Sequence, residues 1–387
     1  MSTSAPPSAA PSMAAQVRDR AQRTPDQVAV RRKHRGVWQE VTWARYWRDV
    51  KAGARMLLTL GIAQGDRVVI LSENRYEWLL ADTATVAAGG VTVGIDPTAA
   101  SAAVADVLAR GATVVVAEDQ EQVDKVLEAG GPSTPAHIVY LDGRGLASYD
   151  DPRLRWWEDA ATEDAAHLDT TADDVAQRMA TGGETSTVTV VAAAGGPVEL
   201  SAADVAAMVE RTCDGRITPS PSGRDMVLPF TSLADRDERL FTSWLNAAAG
   251  VQVHFAESLS TIRQDMGDVQ PTIVFAPAHV WERLVADVER RLAGASRLKR
   301  WMWSVYRPVA LRVGAADSAG DLRPAVRGRA AVGDLMVFRA LRTRIGMRSV
   351  RHAAYTGSMP AETQHLLRGI GVPLSQVTDD RSQVGSP

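Results

Sequence analysis

The sequence contains one cysteine in 387 residues, Cys213, which excludes an internal disulfide framework and is typical of a reducing compartment. It also lacks any apolar run near the ~20 residues that a membrane-spanning helix needs. The first twelve residues, MSTSAPPSAAPS, have neither the basic start nor the apolar stretch of a secretory signal. We therefore expect a cytoplasmic protein with no transmembrane segment.

The sequence also has no large excess of positive or negative charge. The chain carries 43 Lys and Arg against 46 Asp and Glu, a formal net charge of −3. A chain this close to neutrality gives no reason to expect nucleic acid as a partner. Its histidines, cysteine and carboxylates show no metal-ligand spacing, so we expect no metal site. His254 and His279 lie on apolar segments and are predicted to be packed side chains.

Helical and strand patterns alternate along the first half of the chain. Buried strands are predicted at Arg67–Ser72, Val91–Ile95, Thr113–Ala117 and His137–Leu141, with helical segments between them. Strands that alternate with helices form parallel sheets, because the chain has to cross back before each new strand. The pattern therefore predicts an α/β fold.

The folded part is expected to extend over residues 14–380. A disordered Ala/Pro/Ser tail is predicted at 1–13 and a second disordered tail at 381–387. An acidic linker near 146–174 contains Trp156 and Trp157, which we expect to attach it to the body of the domain.

A Gly-rich turn between two strands is predicted at Thr187–Ser201, TVTVVAAAGGPVELS. Such a turn lets backbone N–H groups approach a phosphate. This one contains no lysine or hydroxyl side chain between Ala192 and Pro197, and Glu199 follows it, so it is a poor site for an anion. We therefore favour the interpretation of this segment as a surface hairpin with a flexible Gly turn.

Several segments resemble the long-chain acyl-CoA synthetases of the adenylate-forming (AMP-binding) superfamily. They include TPDQVAV at Thr24, GDRVVILSENRYEW at Gly65, AEDQEQVDKVL at Ala117, VQPTIVFAPAHVWERL at Val269 and YTGSMPAE at Tyr355. The resemblance is collinear from about Ala15 to Asp379. It implies the layered α/β N-terminal large domain of these enzymes, truncated and lacking their small C-terminal domain with its catalytic lysine.

The resemblance allows two positions for the loop that holds the ATP phosphates. Strand pattern favours Ala192–Pro197, whereas the register from Asp173 favours Thr181–Ser186. The second position keeps Thr181, Gly182, Gly183 and Thr185 but adds Glu184, and neither position has the family's lysine. A carboxylate beside a polyphosphate is repulsive, by roughly 1 kcal/mol or more at ~4 Å.

The adenine side of the family's site is also incomplete in this sequence. Gly357 and Ser358 match the turn that lines adenine, and Thr378 and Asp379 match the Thr-Glu pair that binds phosphate and magnesium. The Gly-Tyr-Gly whose tyrosine stacks on adenine is absent between Gln376 and Val377. A lost stacking ring costs about 1–3 kcal/mol per base.

Near the acyl and adenylate pocket, the family normally carries a histidine and an aromatic residue. Ser232 and Ala234 stand at these positions. Asp235 and Arg236 follow, and we interpret them as a local ion pair on a solvated turn.

A basic segment extends from Arg283 to Arg351, with 16 Lys and Arg against 5 Asp and Glu. It includes RLKRWMWSVYRP at Arg297, where cations alternate with aromatic side chains. Such a segment can dock on an anionic membrane surface, an acidic protein or a CoA phosphate. The alternative is that Trp301, Trp303 and Tyr306 are core residues of a helix, which is the commoner arrangement.

The sequence thus predicts an acyl-CoA synthetase-like pseudoenzyme that acts as an interaction or regulatory subunit. Its expected partners are a protein or a second copy of the chain, with a fatty acyl chain or acyl-CoA as ligand and peripheral membrane contact left open. No cofactor and no catalytic residue are expected. The alternative is a divergent long-chain fatty acid–CoA ligase that needs a partner chain, in which case ATP, magnesium and CoA are its cofactors.

Overall fold

The structure is a computed structural model that describes residues 11–129, 135–159, 187–191, 197–214, 220–317 and 324–377. The described residues form two compact units. Unit 1 contains those up to Arg224 together with Thr231–Phe255, and unit 2 contains Asp225–Phe230 together with those from Ala256 onward.

Unit 1 contains strands and helices in the alternating order that the sequence predicts. Its strands are β1 (Val28–His34), β2 (Val37–Thr42), β3 (Arg67–Leu71), β4 (Val91–Ile95), β5 (Val114–Ala117), β6 (His137–Tyr140), β7 (Leu154–Trp156), β8 (Thr187–Val191) and β9 (Val198–Ser201), and β11 (Gln252–Phe255) follows later in the chain. Its helices are α1 (Met13–Arg23), α2 (Trp43–Thr59), α3 (Tyr76–Ala87), α4 (Ser101–Leu108), α5 (Gln120–Glu128), α6 (Ala202–Cys213), α7 (Arg236–Arg239) and α8 (Leu245–Ala249). A π-helical segment, Leu240–Trp244, joins α7 to α8.

The main sheet of unit 1 has seven strands in the order β7-β6-β5-β3-β4-β8-β9. All neighbours are parallel except β8 and β9, which pair antiparallel. The predictions of a parallel sheet and of two strands within Thr187–Ser201 are confirmed, and the turn predicted between them lies outside the described residues. Separately, β1 pairs antiparallel with β2 and parallel with β11.

The core of unit 1 lies on this sheet because its central strands are apolar on both faces, as buried parallel strands are. Helix α3 has almost no exposed side chain, since its sequence YEWLLADTATVA is apolar nearly all round. Ser12 caps α1, and Thr42 caps α2 by accepting a hydrogen bond from the backbone N–H of Arg45. One core cluster on the sheet contains Val69, Leu71, Val93, Ile95, Val104, Val115, Val123 and Ile138.

Unit 2 is built on a three-stranded parallel sheet, β12-β13-β14. The strands of that sheet are β12 (Ile273–Pro277), β13 (His352–Thr356) and β14 (Leu374–Gln376). Unit 2 also contains the short strand β10 (Met226–Val227). Its helices are α9 (Ile262–Val269), α10 (Ala278–Ala293), α11 (Arg297–Asp317), α12 (Pro324–Gly333), α13 (Arg339–Arg344) and α14 (Ala361–Gly369), with a second π-helical segment, Asp334–Phe338, between α12 and α13.

Two glycines allow α11 and α14 to approach backbone to backbone. A Cβ added to Gly314 would lie 1.9 Å from the carbonyl oxygen of His365, and one added to Gly369 would lie 1.8 Å from that of Ala310. Only glycine fits at such a crossing. The buried face of α11 is therefore held by α14, and the opposite face is left for other contacts.

Two packing expectations are corrected by the structure. His254 is buried as predicted, but His279 is exposed because it lies two residues from the buried Trp281, on the other side of α10. Of the tryptophan pair in the predicted linker, Trp157 is buried against Gly53, whereas Trp156 on β7 is 38% exposed. One tryptophan, rather than both, attaches this segment to the body.

No helix within the described ranges is both long enough and apolar enough to cross a membrane.

Candidate functional site

The segment Thr231–Asp235 in unit 1 is held by one side chain of the loop after β3. The amide nitrogen of Asn74 donates to the carbonyl oxygen of Thr231 at 2.6 Å, and the amide oxygen of Asn74 accepts from the backbone N–H of Leu233 at 2.9 Å. This pairing fixes the backbone on both sides of Ser232, the position at which the family carries a histidine.

Ala234 packs against Gly94 of strand β4. A Cβ built on Gly94 would lie 2.8 Å from the Cα of Ala234 and 3.3 Å from the ring of Trp78. Ala234 itself is 2% exposed. Gly94 and Ala234 are therefore in close contact at a buried position.

The predicted ion pair between Asp235 and Arg236 is wrong. Asp235 is the N-cap of α7 and accepts hydrogen bonds from the backbone N–H groups of Asp237 and Glu238. Arg236 instead pairs with Asp237 at 2.9 Å, and Asp237 is buried. A carboxylate directly before a short helix caps its free N–H groups, which outweighs pairing with the adjacent cation.

Glu238 is a fully buried carboxyl group next to this segment. It accepts hydrogen bonds from the hydroxyl and the backbone N–H of Thr231, and from the hydroxyl of Thr242 at 3.1 Å. Burial raises the pKa of Glu238 to about 8, although these hydrogen bonds act in the opposite direction. A carboxyl group with this pKa is largely protonated at neutral pH and can donate a hydrogen bond as well as accept one.

The next residue, Arg239, forms a buried ion pair with Asp82 of α3. The guanidinium makes two hydrogen bonds to the carboxylate, one of them 3.1 Å from Nε, and a third to the hydroxyl of Thr189 at 2.6 Å. The ring of Trp78 lies 4.9 Å from its central carbon. The cluster joins α3, β8 and α7, and none of its members was among the predicted site residues.

A cavity of about 320 Å³ opens beside this ion pair. Its walls come from α1, α3, α6 and α8, and its lining is mainly apolar, with Met13, Val86, Val205, Val209 and Trp244 among the contributors. Its polar lining includes Asp82, Thr189 and Arg239, and also Gln16, Glu210 and Asp214. Ligand pockets in proteins share this composition of apolar walls with a few polar groups.

Cys213 also lines this cavity, at the end of α6. Burial raises the pKa of its thiol, and the adjacent Asp214 adds to the effect. The thiol is therefore protonated at neutral pH and is not an activated nucleophile. The cavity suits a ligand held by apolar contact rather than by covalent chemistry.

In unit 2, Gly357 and Ser358 lie at the carboxyl end of β13, in the middle of the three-stranded sheet. Gly357 has φ +86°, and its carbonyl oxygen accepts a hydrogen bond from the side chain of Gln376 at 2.9 Å. Both residues are exposed. Ligands of parallel sheets bind outside the carboxyl ends of the strands, so this turn is placed where a ligand is expected.

Val377, which directly follows Gln376, still pairs with β13. The backbone N–H of Val377 donates to the carbonyl oxygen of Tyr355 at 2.8 Å. Strand pairing thus continues through the point at which the family inserts its Gly-Tyr-Gly.

The other predicted nucleotide positions, Thr181, Gly182, Gly183, Thr185, Thr378 and Asp379, lie outside the described residues, as do 192–196 of the alternative loop. Glu199, just after that loop, pairs with Arg67 at 2.9 Å. Within the described residues, no group of three or more His, Cys, Asp and Glu side chains could hold a metal ion.

Comparison with known proteins identifies the fold and the family. The family model described as "AMP-binding enzyme" matches residues 17–369. The long-chain-fatty-acid–CoA ligase FadD15 of Mycobacterium bovis is 28% identical over 94% of this chain and 59% of its own length. The long-chain-fatty-acid–CoA ligase ACSBG1 of Homo sapiens is 24% identical over 90% of this chain and 49% of its own length. The chain spans about half of the human relative and 59% of the mycobacterial one.

Solved structures agree on the fold. The N-terminal domain of FACL13 from Mycobacterium tuberculosis superposes with a TM-score of 0.60 at 15% identity, over 94% of this chain and 75% of that one. The A domain of a carboxylic acid reductase from Segniliparus rugosus, solved with AMP and a co-purified carboxylic acid, superposes with a TM-score of 0.61 at 16% identity, over 95% of this chain and 60% of that one. Because the family model covers most of the chain, this protein belongs to the AMP-binding enzyme family and has the layered α/β fold of the acyl-CoA synthetase N-terminal domain.

Proposed function

We propose that this chain is a non-catalytic, acyl-CoA synthetase-like protein that acts as an interaction or regulatory subunit. The observation that carries the proposal is the packing around Ser232 and Ala234. Asn74 fixes the backbone of the segment, and Ala234 is buried in close contact with Gly94. Ser232 and Ala234 are small side chains in this ordered segment, so the family's histidine and aromatic residue have no counterparts there.

The turn in unit 2 supports the same proposal. Gly357 has the positive φ of a turn at the carboxyl end of β13, but the pairing of Val377 with Tyr355 continues where a stacking tyrosine would be inserted. Catalysis of adenylation depends on positioning and on stabilising charge in the transition state. A turn without its stacking ring contributes little to positioning the nucleotide or to stabilising charge in the transition state.

Two consequences follow for ligands. We propose no resident ATP, magnesium or CoA. If a nucleotide is retained, its proposed contacts are Thr181, Gly182, Gly183, Thr185, Gly357, Ser358, Thr378 and Asp379. For an acyl chain, we propose the apolar cavity beside Arg239 and Asp82, because its walls are contributed by apolar side chains of four helices.

The test is fatty-acid-dependent exchange of pyrophosphate into ATP by the purified chain, with magnesium and a series of fatty acids. An intact long-chain fatty acid–CoA ligase serves as the positive control. We expect no exchange above a control without fatty acid, and no heat of ATP or AMP binding in calorimetry. Exchange that depends on fatty acid would overturn the proposal.

The second candidate is a divergent ligase that uses a partner chain. The placement of Gly357 and Ser358 at the carboxyl end of a parallel sheet favours it. Under this alternative, the chain binds ATP and the change Asp379→Ala abolishes binding, because a carboxylate is needed to hold magnesium against the phosphates. An unchanged affinity for ATP in that variant would remove this candidate.

A further inference from the structure

Helix α11 of unit 2 is apolar on two opposite sides. One side, with Trp303 and Ala310, is buried. The other side carries Leu298, Trp301 and Val305, which are 63%, 61% and 44% exposed. Residues three, four and seven apart share a helix face, so these three side chains form a continuous ridge that no described part of the chain covers. We call it the α11 ridge.

Exposed side chains of this size are unusual when they lie together. Isolated exposed apolar residues are normal in soluble proteins, whereas a contiguous apolar patch marks a surface that contacts something else. The neighbouring α12 and the π-helical segment after it add a second exposed group, Val332, Leu335 and Met336. Tyr306 of α11 contacts the ring of Phe338 with centroids 6.4 Å apart, so these two helical segments belong to one packed group.

All charged side chains at the N-terminal end of the α11 ridge are positive. Arg297, Lys299 and Arg300 are exposed and flank Leu298 and Trp301, and the first turn of the helix carries no acidic residue. Within the described ranges, none of the three has a carboxylate within ion-pair distance. Arg300 donates a hydrogen bond to the backbone carbonyl oxygen of Ala295 at 2.7 Å, which leaves its charge without a counter-ion.

This placement is costly for the helix itself. The N-terminus of a helix carries a partial positive charge, so acidic residues stabilise it and cations destabilise it, each by about 0.3–1 kcal/mol. Three cations at this end are therefore unfavourable unless an anion binds there. Backbone N–H groups at the start of a helix attract the same anion.

We propose that the α11 ridge docks on an anionic lipid surface, with Leu298, Trp301 and Val305 entering the headgroup–acyl boundary and Arg297, Lys299 and Arg300 binding lipid phosphates. Apolar side chains, a tryptophan and flanking cations are the composition of helices that lie in a membrane interface. A protein partner fits less well, because lysine is depleted from protein interfaces and this end of the ridge has three cations with no acidic residue among them.

Sedimentation with lipid vesicles tests the proposal on the full chain. Vesicles of phosphatidylcholine with about one third phosphatidylglycerol supply the anionic surface, and pure phosphatidylcholine is the control. We expect binding to the first and little to the second, with loss of binding near 1 M salt, where the Debye length is about 3 Å. The double variant Lys299→Glu/Arg300→Glu should bind at least about tenfold more weakly, since each cation near such a surface contributes about 1 kcal/mol.

Matched variants distinguish the ridge from the rest of the surface. Trp301→Gln should weaken binding to the anionic vesicles, whereas Trp156→Gln, which removes another exposed tryptophan in unit 1, should not. Arg110→Glu is the corresponding charge control on an exposed position of α4's C-terminal turn. Unchanged denaturation curves would show that the variants are folded.

Two results would overturn the proposal. One is the absence of vesicle binding, or binding that Trp301→Gln and the double variant leave unchanged. The other is self-association of the chain in ultracentrifugation that Trp301→Gln abolishes while vesicles do not bind, which would assign the ridge to a protein interface.

Discussion

Arg239 and Asp82 form a bidentate ion pair in which each side chain is only 1% exposed. A buried ion pair is stable only while both charges are present, because removing one leaves the other unpaired in a medium of low dielectric constant. Thr189 satisfies a further hydrogen bond of the guanidinium. The pair thus couples α3 and β8 to α7, the helix that follows Ser232 and Ala234.

The first prediction concerns this pair. Arg239→Met should lower the free energy of unfolding by about 3–5 kcal/mol, because Asp82 is left buried and unpaired. The double variant Arg239→Met/Asp82→Leu should recover most of this loss. Denaturant unfolding measures both. Arg31→Met breaks an exposed pair with Glu40 and should cost no more than about 1 kcal/mol; an equal cost at Arg239 would contradict the role given to burial.

The second prediction is a pH dependence set by Glu238. Burial raises the pKa of this carboxyl group from 4.5 to about 8, so the folded state binds its proton more tightly than the unfolded state. Its contribution to stability is therefore complete below about pH 4.5 and is lost as the pH rises through about 8. A pKa difference of one between the folded and unfolded states corresponds to about 1.4 kcal/mol. Relative to Glu238→Gln, the unmodified protein should lose several kcal/mol of unfolding free energy between about pH 5 and pH 8.5, as denaturant unfolding at each pH would measure.

Two buried histidines act in the opposite direction and need to be separated from this effect. Burial lowers the pKa of both His254 and His352 to about 4, so they destabilise the folded state as the pH falls below their unfolded pKa. Their contribution is common to the protein and to Glu238→Gln, and it cancels in the difference between the two curves. Parallel curves for the two proteins over the whole range would refute the assignment to Glu238.

The third prediction tests the contact between Gly94 and Ala234. Gly94→Ala places a Cβ 2.8 Å from the Cα of Ala234, so the backbone has to move, at a cost of about 1–3 kcal/mol. Gly143→Ala is the control, because its nearest neighbour would be a ring atom of Tyr140 at an ordinary 3.4 Å. Thermal and denaturant unfolding should separate the two variants. Equal stabilities would show that the segment at Ala234 has more space than the structure gives it.

The alternating strands and helices of unit 1 could be predicted from the sequence because each element carries its own periodicity. Strands such as Val91–Ile95 are short apolar runs, and helices such as Trp43–Thr59 begin at a good N-cap. The parallel arrangement of the strands then follows from the helices that connect them. The antiparallel pair at Thr187–Ser201 is predictable for the same reason, from two β-rich runs on either side of a Gly-Pro turn.

The pairing of charged side chains was beyond prediction because it depends on three-dimensional distance. Asp235 follows the rule for a helix cap, yet its sequence neighbour Arg236 suggested an ion pair instead. The partners Asp82 and Arg239 are 157 residues apart. A signal did exist, since Asp82 is a charge inside the otherwise apolar run of α3, and such a charge needs a partner when it is buried.

The last prediction concerns the apolar cavity of unit 1. Ala206 of α6 lines it, and Ala206→Phe places a ring in the space that an acyl chain would occupy. If the proposal of an acyl ligand is right, the variant should lose binding of a fluorescent fatty acid while its unfolding free energy falls little, because the ring enters an existing cavity. Ala102→Phe adds the same ring at an exposed position of α4 and should bind as the unmodified protein does. Retained binding in Ala206→Phe would place any acyl ligand elsewhere, and an absence of binding in the unmodified protein would leave the cavity without that role.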